Sequence, residues 1–238
     1  MPLSRTSALA FGVGSGAYHG TIDANEEFIY YLTTSSPAHL VKVRVSDNTK
    51  IAHLTFATGE NFGRAVVIDN ISGYIYCGLQ TSPAKIVKVR ISDFTIVGTT
   101  LTFDTGNNGI VGGCIDVTND VSYWCLNVAA GGYGGIVKVN NNGTGTPTVV
   151  SVLDFIAGET NCDGGIALDL PNYLAYVACS ISPVKIVKVN INPASFARVG
   201  AITLSTNENN VGSSSLVIEL NRLGGLANQL TVLTRATT

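Results

Sequence analysis

The chain has 238 residues, enough for one domain with a substantial core, and a net charge of −2. Its Lys and Arg residues are dispersed, which argues against nucleic-acid binding, and it lacks the run of about 20 apolar residues that a membrane span needs. Only 13% of the residues are charged, against about 25% in an average soluble domain. A surface dominated by Thr, Ser, Asn and Gly is common in extracellular, cell-surface and virion proteins.

The first predicted element is an apolar strand at residues 7–15, SALAFGVGS. Its glycines and the lack of a clear basic lead distinguish it from a signal-peptide core. We therefore interpret it as a strand of the folded protein. We expect a product made in the cytoplasm without a secretory signal.

A repeat follows along the whole chain. The segments SSPAHLVKV (35–43), TSPAKIVKV (81–89) and ISPVKIVKV (181–189) are near-copies, and GYGGIVKV (132–139) is a fourth. A short apolar run ending in an acidic residue recurs in step with them, at Asp23, Asp69, Asp116, Asp169 and Glu219. Repetition at this period is typical of propellers and solenoids.

Each repeat contains four short runs rich in Val, Ile, Thr and Tyr, separated by turn residues. In the second repeat the runs are GRAVVID, YIYCGLQ, KIVKVRI and TIVGTTLTF, which we name strands A to D. No run shows sustained helical periodicity. A four-stranded unit of this length, repeated four or five times, predicts an all-β fold and a single β-propeller.

The two ends of the chain predict how the ring closes. Residues 7–15 align with a D strand, and LTVLTRA (230–236) falls where a C strand belongs. We therefore expect five four-stranded blades, the last closed by the N-terminal strand, which removes free sheet edges. A four-bladed ring with frayed tails is the alternative. The expected single domain is 1–238, with repeat units at approximately 16–61, 62–108, 109–161, 162–210, and 211–238 plus 1–15.

The pattern HGTID…FIYYLTT…LVKVRV…HLTFATG resembles the YVTN/NHL-like propeller repeats. The resemblance covers nearly the whole chain and implies a propeller fold. It does not imply one activity, because that superfamily includes binding, scaffolding and some hydrolytic proteins.

Residues that recur in every repeat are predicted to be structural. The acidic set would accept hydrogen bonds from turn amides, the alternative being a ring of carboxylates that holds a cation in the channel. The lysines of the repeat would lie solvated or in grooves with buried stems: Lys42, Lys88, Lys138 and Lys188. An aromatic set would pack between blades: Tyr30, Tyr76, Trp124 and Tyr176.

The remaining residues give no catalytic or metal-binding pattern. Five cysteines without CxxC spacing indicate reduced, buried thiols. His19, His39 and His53 fall in different layers of the blade and are not expected to converge as a metal triad. No nucleophile elbow or phosphate-binding loop is present. We therefore predict no catalytic residue, no metal and no cofactor.

Polar loops are the best candidates for a site. Strands alternate in direction, so the D–A and B–C loops are expected on one face, around the channel mouth. Their amides and carboxylates suit sugar hydroxyls, peptide backbone or a hard cation, unless they only form turns. The candidate residues that differ between repeats are Glu60, Arg64, Asn107, Tyr133, Asn161, Asp163 and Asn209.

The sequence thus favours a non-enzymatic interaction propeller, with a protein partner or a second copy of itself. Its composition suits a structural or decoration subunit of a larger assembly, such as a virion or a surface appendage. A lectin-like propeller that binds glycans is one alternative, and a metal-dependent hydrolase or lactonase is another.

Overall fold

The computed structural model describes residues 8–14, 16–206, 208–219 and 229–236, and beyond residue 208 it describes the strand backbone only. This part of the chain is all-β, apart from a short 3-10 turn at Leu170–Asn172. Four antiparallel sheets of four or five strands follow one another, and a two-stranded sheet comes last. The fold is that of a β-propeller repeat protein, as predicted.

The first two sheets are each built from consecutive strands of the chain. The first sheet contains β1 (Ala17–Ile22), β2 (Phe28–Thr33), β3 (His39–Arg44) and β4 (Thr49–Thr55). The second contains β5 (Gly63–Asp69), β6 (Tyr74–Leu79), β7 (Lys85–Arg90), β8 (Thr95–Ile96) and β9 (Leu101–Thr102), the last two both paired with β7.

The later sheets follow the same order. The third contains β10 (Asn108–Asp116), β11 (Val121–Val128), β12 (Gly135–Asn140) and β13 (Thr148–Asp154). The fourth contains β14 (Ile166–Asp169), β15 (Leu174–Cys179), β16 (Lys185–Asn192) and β17 (Ser195–Thr203). The last sheet pairs β18 (Glu208–Glu219) with β19 (Gln229–Ala236).

The core lies between neighbouring sheets. Four consecutive residues of β7, from Ile86 to Val89, are buried, as expected for a strand covered on both faces. Trp124 of β11 packs with the second sheet, and Gly78 of β6 makes room for it. A Cβ added at Gly78 would lie 2.6 Å from the indole ring.

The predicted closure of a fifth blade by the N-terminal strand is not confirmed. In the described part of the last sheet, β19 pairs directly with β18, at the position expected for a B strand and not a C strand. The described residues 8–14 form no strand. Gly12, Gly14 and Gly16 all have positive φ, which breaks an extended chain, and Phe11 packs on Tyr31 of the first sheet at 5.3 Å between ring centroids.

Strand register corrects the aromatic set. The tyrosines paired with the repeat lysines across β2–β3 and its equivalents are Tyr30, Tyr76, Tyr123 and Tyr176. Trp124 is one residue further along and pairs with Val137. Each of the four tyrosines lies seven residues after the acidic residue of its repeat, and that spacing identifies the set.

The acidic residues form turns, as predicted. Asp69 Oδ1 accepts the N–H groups of Ile71 and Ser72, both at 2.9 Å. Asp23 Oδ1 accepts from Glu27 N at 2.8 Å. The side chain of Glu219 lies outside the described part. These carboxylates stabilise the A–B turns at the end of the fold opposite the D–A loops.

Candidate functional site

The D–A and B–C loops are bonded to each other, so they share one end of the propeller. Within a repeat, the amide that follows the Ser-Pro pair donates to a carbonyl of the D–A loop. Ala38 N lies 2.9 Å from Glu60 O, and Ala84 N lies 2.9 Å from Asn107 O. We call this end the mouth face, comprising residues 34–38, 57–64, 80–84, 104–109, 127–134, 156–164 and 180–184.

Two of the predicted site residues are engaged within these loops. Glu60 Oε2 accepts the N–H of Ala57 at 2.8 Å, and Oε1 accepts from the Thr100 hydroxyl. Asn107 Oδ1 accepts the N–H of Ala130 at 3.2 Å. Both side chains are buried. They act in the first place as turn-forming groups of the fold.

Arg64 is a cation within the mouth face. Its Nε donates to Gln80 Oε1 at 2.7 Å, and its guanidinium carbon lies 4.2 Å from the centroid of the Tyr18 ring. Among the residues that the structure describes, Arg64 forms no ion pair. The bond to Gln80 and the stacking on Tyr18 fix the orientation of the guanidinium and leave its Nη groups for a ligand.

Phe62 stands beside Arg64 in a strained conformation. Its φ is 56°, in the left-handed region, and its side chain is 47% exposed. The equivalent positions in the neighbouring loops hold Gly16, Gly109 and Asn161, residue types that adopt this conformation more easily. The strain costs about 1–2 kcal/mol, and such outliers cluster at functional sites.

A cleft of about 460 Å³ opens between these residues and the third sheet. Its lining includes Phe62, Arg64, Gln80, Ser82, Asn108 and Asn127. The cleft therefore combines one cation, an exposed aromatic ring and several amide and hydroxyl groups.

The remaining predicted residues lie around the rest of the mouth. Burial raises the pKa of Asp163, while the positive charge of Arg64 acts on that pKa in the opposite direction, so the two side chains lie within electrostatic range. Asp163 Oδ1 is buried without a hydrogen-bond partner among the described atoms. Tyr133 and Asn161 are exposed. The side chain of Asn209 lies outside the described part.

The structure adds residues that the sequence analysis missed. Tyr18, Phe62 and Gln80 all lie beside Arg64. Phe62 had a signal in the sequence, because it is a bulky residue where the other loops have Gly or Asn. Tyr18 and Gln80 had none, because only strand register brings β1, β5 and β6 together.

The inner strands leave a narrow central cavity of about 240 Å³, lined by His19 and several glycines. A Cβ added at Gly112 would lie 3.4 Å from the Cα of Gly165, so these inner strands approach closely. His19 Nδ1 accepts the N–H of Val66 at 3.3 Å, and burial lowers the pKa of His19.

The other two histidines are neighbours, although the sequence placed them in different layers of the blade. The rings of His39 and His53 are 5.9 Å apart, because β3 and β4 pair Val41 with His53 and His39 with Thr55. In the described part of the chain, no three His, Cys, Asp or Glu side chains are grouped as metal ligands would be. All five cysteines are free thiols. None of the described helical segments is long and apolar enough to cross a membrane.

Comparison with known proteins supports the fold. No family model matches the chain, and no curated protein matches it significantly by sequence. The WD40 repeats of RRP9 superpose with a TM-score of 0.60 at 11% identity, covering 81% of this chain and 52% of that one. A functionally unknown protein from Desulfotomaculum acetoxidans DSM 771 gives 0.62 at 13% identity, covering 80% and 57%.

A protein from Bacteroides uniformis ATCC 8492, named as a candidate 6-phosphogluconolactonase, gives a TM-score of 0.64 at 14% identity, covering 80% of this chain and 55% of that one. The chain thus spans little more than half the length of these structures. Identities of 11–14% show a shared fold alone. The chain is similar in fold to WD40 and other propeller proteins.

Proposed function

We propose that this protein is a non-enzymatic interaction propeller that binds a protein partner through its mouth face. The observation that carries the proposal is the state of Arg64. Its guanidinium is held by Gln80 and Tyr18, faces a cleft, and forms no ion pair within the described residues. Arg and aromatic residues in pockets are the usual anchors of protein interfaces.

The chemistry of the cleft indicates an acidic peptide segment as the bound element. The Nη groups of Arg64 suit a carboxylate, which can accept both in a bidentate manner. Phe62 offers an exposed ring for an apolar neighbour of that carboxylate. Asn108 and Asn127 offer amide groups to the peptide backbone.

The finer features of the proposal rest on the sequence. A closed ring of five blades over a single domain, and a role as a subunit of a larger assembly such as a virion or surface appendage, follow from the repeat count and the low charge. A homo-oligomer and a glycan ligand are alternatives for the same face.

Selection of displayed random peptides on the intact protein tests the proposal. We expect enrichment of peptides with an Asp or Glu beside an apolar residue. Arg64→Ala should weaken the binding of an enriched peptide at least about tenfold, because an Arg anchor contributes more than about 1.4 kcal/mol. Arg44→Ala is the matched control, because Arg44 lies at the far end of β3 and is paired with Asp47.

The proposal is rejected if no peptide is enriched, or if Arg64→Ala binds the enriched peptides as the wild type does. A glycan array probed in parallel examines the lectin alternative. Glycan binding that survives Arg64→Ala, without any peptide binding, would favour that alternative.

A further inference from the structure

The repeat lysine lies in the groove between its own sheet and the next one, at the end opposite the mouth face. In the first two grooves its ammonium rests on an aromatic ring of the neighbouring strand. Lys42 Nζ is 3.9 Å from the centroid of Phe28, and Lys88 Nζ is 4.1 Å from that of Tyr74. The ring is the first of two groups that hold the ammonium.

The second group is a cap from the next sheet. In the first groove the ring of Phe94 lies 6.0 Å from Lys42 Nζ. In the second, Lys88 Nζ donates to the carbonyl oxygens of Asn141 at 3.2 Å, Gly145 at 2.8 Å and also Gly143. This cap leaves Lys88 only 2% exposed.

The third groove has no aromatic ring at the position of Phe28 and Tyr74, although Tyr123, which pairs with Lys138, also lines it. On β11, Val121 pairs with Asn140, just as Tyr74 pairs with Arg90 on β6. Val121 therefore replaces the aromatic residue on which the ammonium of the equivalent lysine stacks in the first two grooves.

The third groove also lacks the carbonyl cap that covers Lys88, although Phe196 of the fourth sheet packs on Tyr123 there, with ring centroids 6.3 Å apart. The loop over Lys88 is pinned by Gly143 N, which donates to Asp120 Oδ2 at 2.7 Å. In the fourth sheet, Tyr173 stands at the position of Asp120, because both residues have a left-handed backbone. The carbonyl oxygen of Asp120 accepts from Asn141 N, and that of Tyr173 accepts from Ile191 N. Pro193 stands at the position of Gly143 and has no N–H to donate.

The connection in the fourth sheet is also too short to reach over the lysine. The strand β16 ends at Asn192 and β17 begins at Ser195, whereas the loop that covers Lys88 runs from Asn140 to Thr148. A cavity of about 410 Å³ is left between the third and fourth sheets. Its lining includes Asp116, Lys138, Leu170, Tyr173, Ile191 and Pro193.

The charge of Lys138 is not balanced by a direct contact. Its ammonium forms no hydrogen bond or ion pair with any residue that the structure describes. Asp116 lies in the same cavity, but its oxygens accept from Thr118 N at 3.2 Å and from Asn119 N and Nδ2 at 3.2 and 2.7 Å. These hydrogen bonds fix the carboxylate in its turn, and none of them comes from Lys138.

We propose that this groove binds a small organic anion, with its oxyanion on Lys138 and a compact apolar body against Leu170, Ile191 and Pro193. In the second groove, oxygen atoms bind the ammonium at this repeat position, since Lys88 donates to carbonyl oxygens. The cavity volume falls within the range of about 300–1,000 Å³ that small-ligand sites occupy. The site is separate from the mouth face and does not depend on the function proposed for it.

NMR titration of the labelled protein with three probes tests the site. Benzoate and phenyl phosphate carry an oxyanion on the same ring, and benzamide is the neutral control. We expect saturable shifts at Lys138, Tyr173 and Ile191 with at least one of the two anions, and binding of benzamide at least about tenfold weaker. Absence of saturable shifts at these residues with both anions, or equal binding of benzamide, would overturn the proposal.

Two variants complete the test. Lys138→Met should abolish binding of the anions, and Lys188→Met, at the same position of the fourth sheet, should leave the shifts at Ile191 unchanged. Tyr173→Asp keeps the lysine and restores the carboxylate found at Asp120, in a residue type that tolerates positive φ. It should also abolish binding. Wild-type affinity in either Lys138→Met or Tyr173→Asp would contradict the site. If Lys138→Met does not fold, the affinity of Tyr173→Asp alone tests the proposal.

Discussion

Lys88 of the second sheet donates to the carbonyl oxygen of Gly145 in the third sheet at 2.8 Å, so a buried ammonium ties two neighbouring sheets together. The lysine at this position was predicted to be solvated or to lie in a groove. Lys88 lies in a groove and is almost completely buried, ammonium included, whereas Lys138 is only partly buried. One repeat position therefore has two different environments.

This difference predicts unequal costs for the same substitution. Lys88→Met should destabilise the protein by about 3 kcal/mol, because it leaves several carbonyl oxygens without a donor. Lys138→Met should change the free energy of unfolding by no more than about 0.5 kcal/mol, because its ammonium has no partner to lose among the described residues. Urea unfolding of both variants measures this. Equal losses would show that the two environments do not differ as described.

The close packing of Gly78 predicts a second contrast. A Cβ there would lie 2.6 Å from both Trp124 and Ile110, so Gly78→Ala should cost about 2 kcal/mol by overpacking. Gly200 on β17 has no atom within 4 Å of an added Cβ. Gly200→Ala should therefore be neutral or stabilising by about 0.5 kcal/mol. Thermal unfolding compares the two, and a tolerated Gly78→Ala would place Trp124 elsewhere.

The burial of His19 predicts a pH dependence of stability. Because burial lowers its pKa in the folded state, the unfolded state binds more protons below the ordinary value of about 6.5. The contribution of His19 is thus complete above that pH and is lost as the pH falls towards the folded-state pKa.

Unfolding midpoints measured between about pH 7.5 and pH 5 check this. The wild type should lose stability on acidification, and His19→Gln should lose less. The pKa of His39 is also lowered, first by burial and then by His53 and Lys50. His39→Gln should therefore reduce the loss on acidification as well, and it measures the share that does not come from His19. Identical slopes for wild type and His19→Gln would refute a buried, neutral His19.

The strain at Phe62 predicts that stability and binding change in opposite directions. Phe62→Asn places at this position the residue type that the fourth sheet uses, and should stabilise the protein by about 1 kcal/mol. The same change should weaken peptide binding several-fold, because the exposed ring is lost. Phe94 is left-handed too, but it packs on Tyr30 at 6.1 Å, so Phe94→Asn should destabilise. Stabilisation without loss of binding would remove Phe62 from the site.

The sequence predicted the architecture well for a physical reason. Each repeat has four short strand-like runs between turn residues, and the repeats follow one another at a regular spacing. Few folds other than a β-propeller fit this pattern. The roles of Asp23, Asp69 and Asp116 followed from position alone, because an acidic residue just before a turn accepts turn amides.

Other features depended on information that a single repeat does not contain. The pairing of β19 with β18, and the left-handed glycines after Phe11, leave the expected closure unconfirmed. The contact of His39 with His53 depends on the register of β3 and β4. The stacking of Arg64 on Tyr18 joins two sheets and could not be read from spacing within either one.

The most direct test of the mouth face as the binding surface is an NMR titration. Amide chemical-shift changes are mapped on the intact protein as the selected peptide is added. The account predicts the largest changes at Phe62, Arg64 and Gln80 around the cleft, and in Arg64→Ala the changes at Phe62 and Gln80 should need at least about tenfold more peptide. Changes centred on the outer strands, such as β17, or on the A–B turns at the opposite end would contradict it.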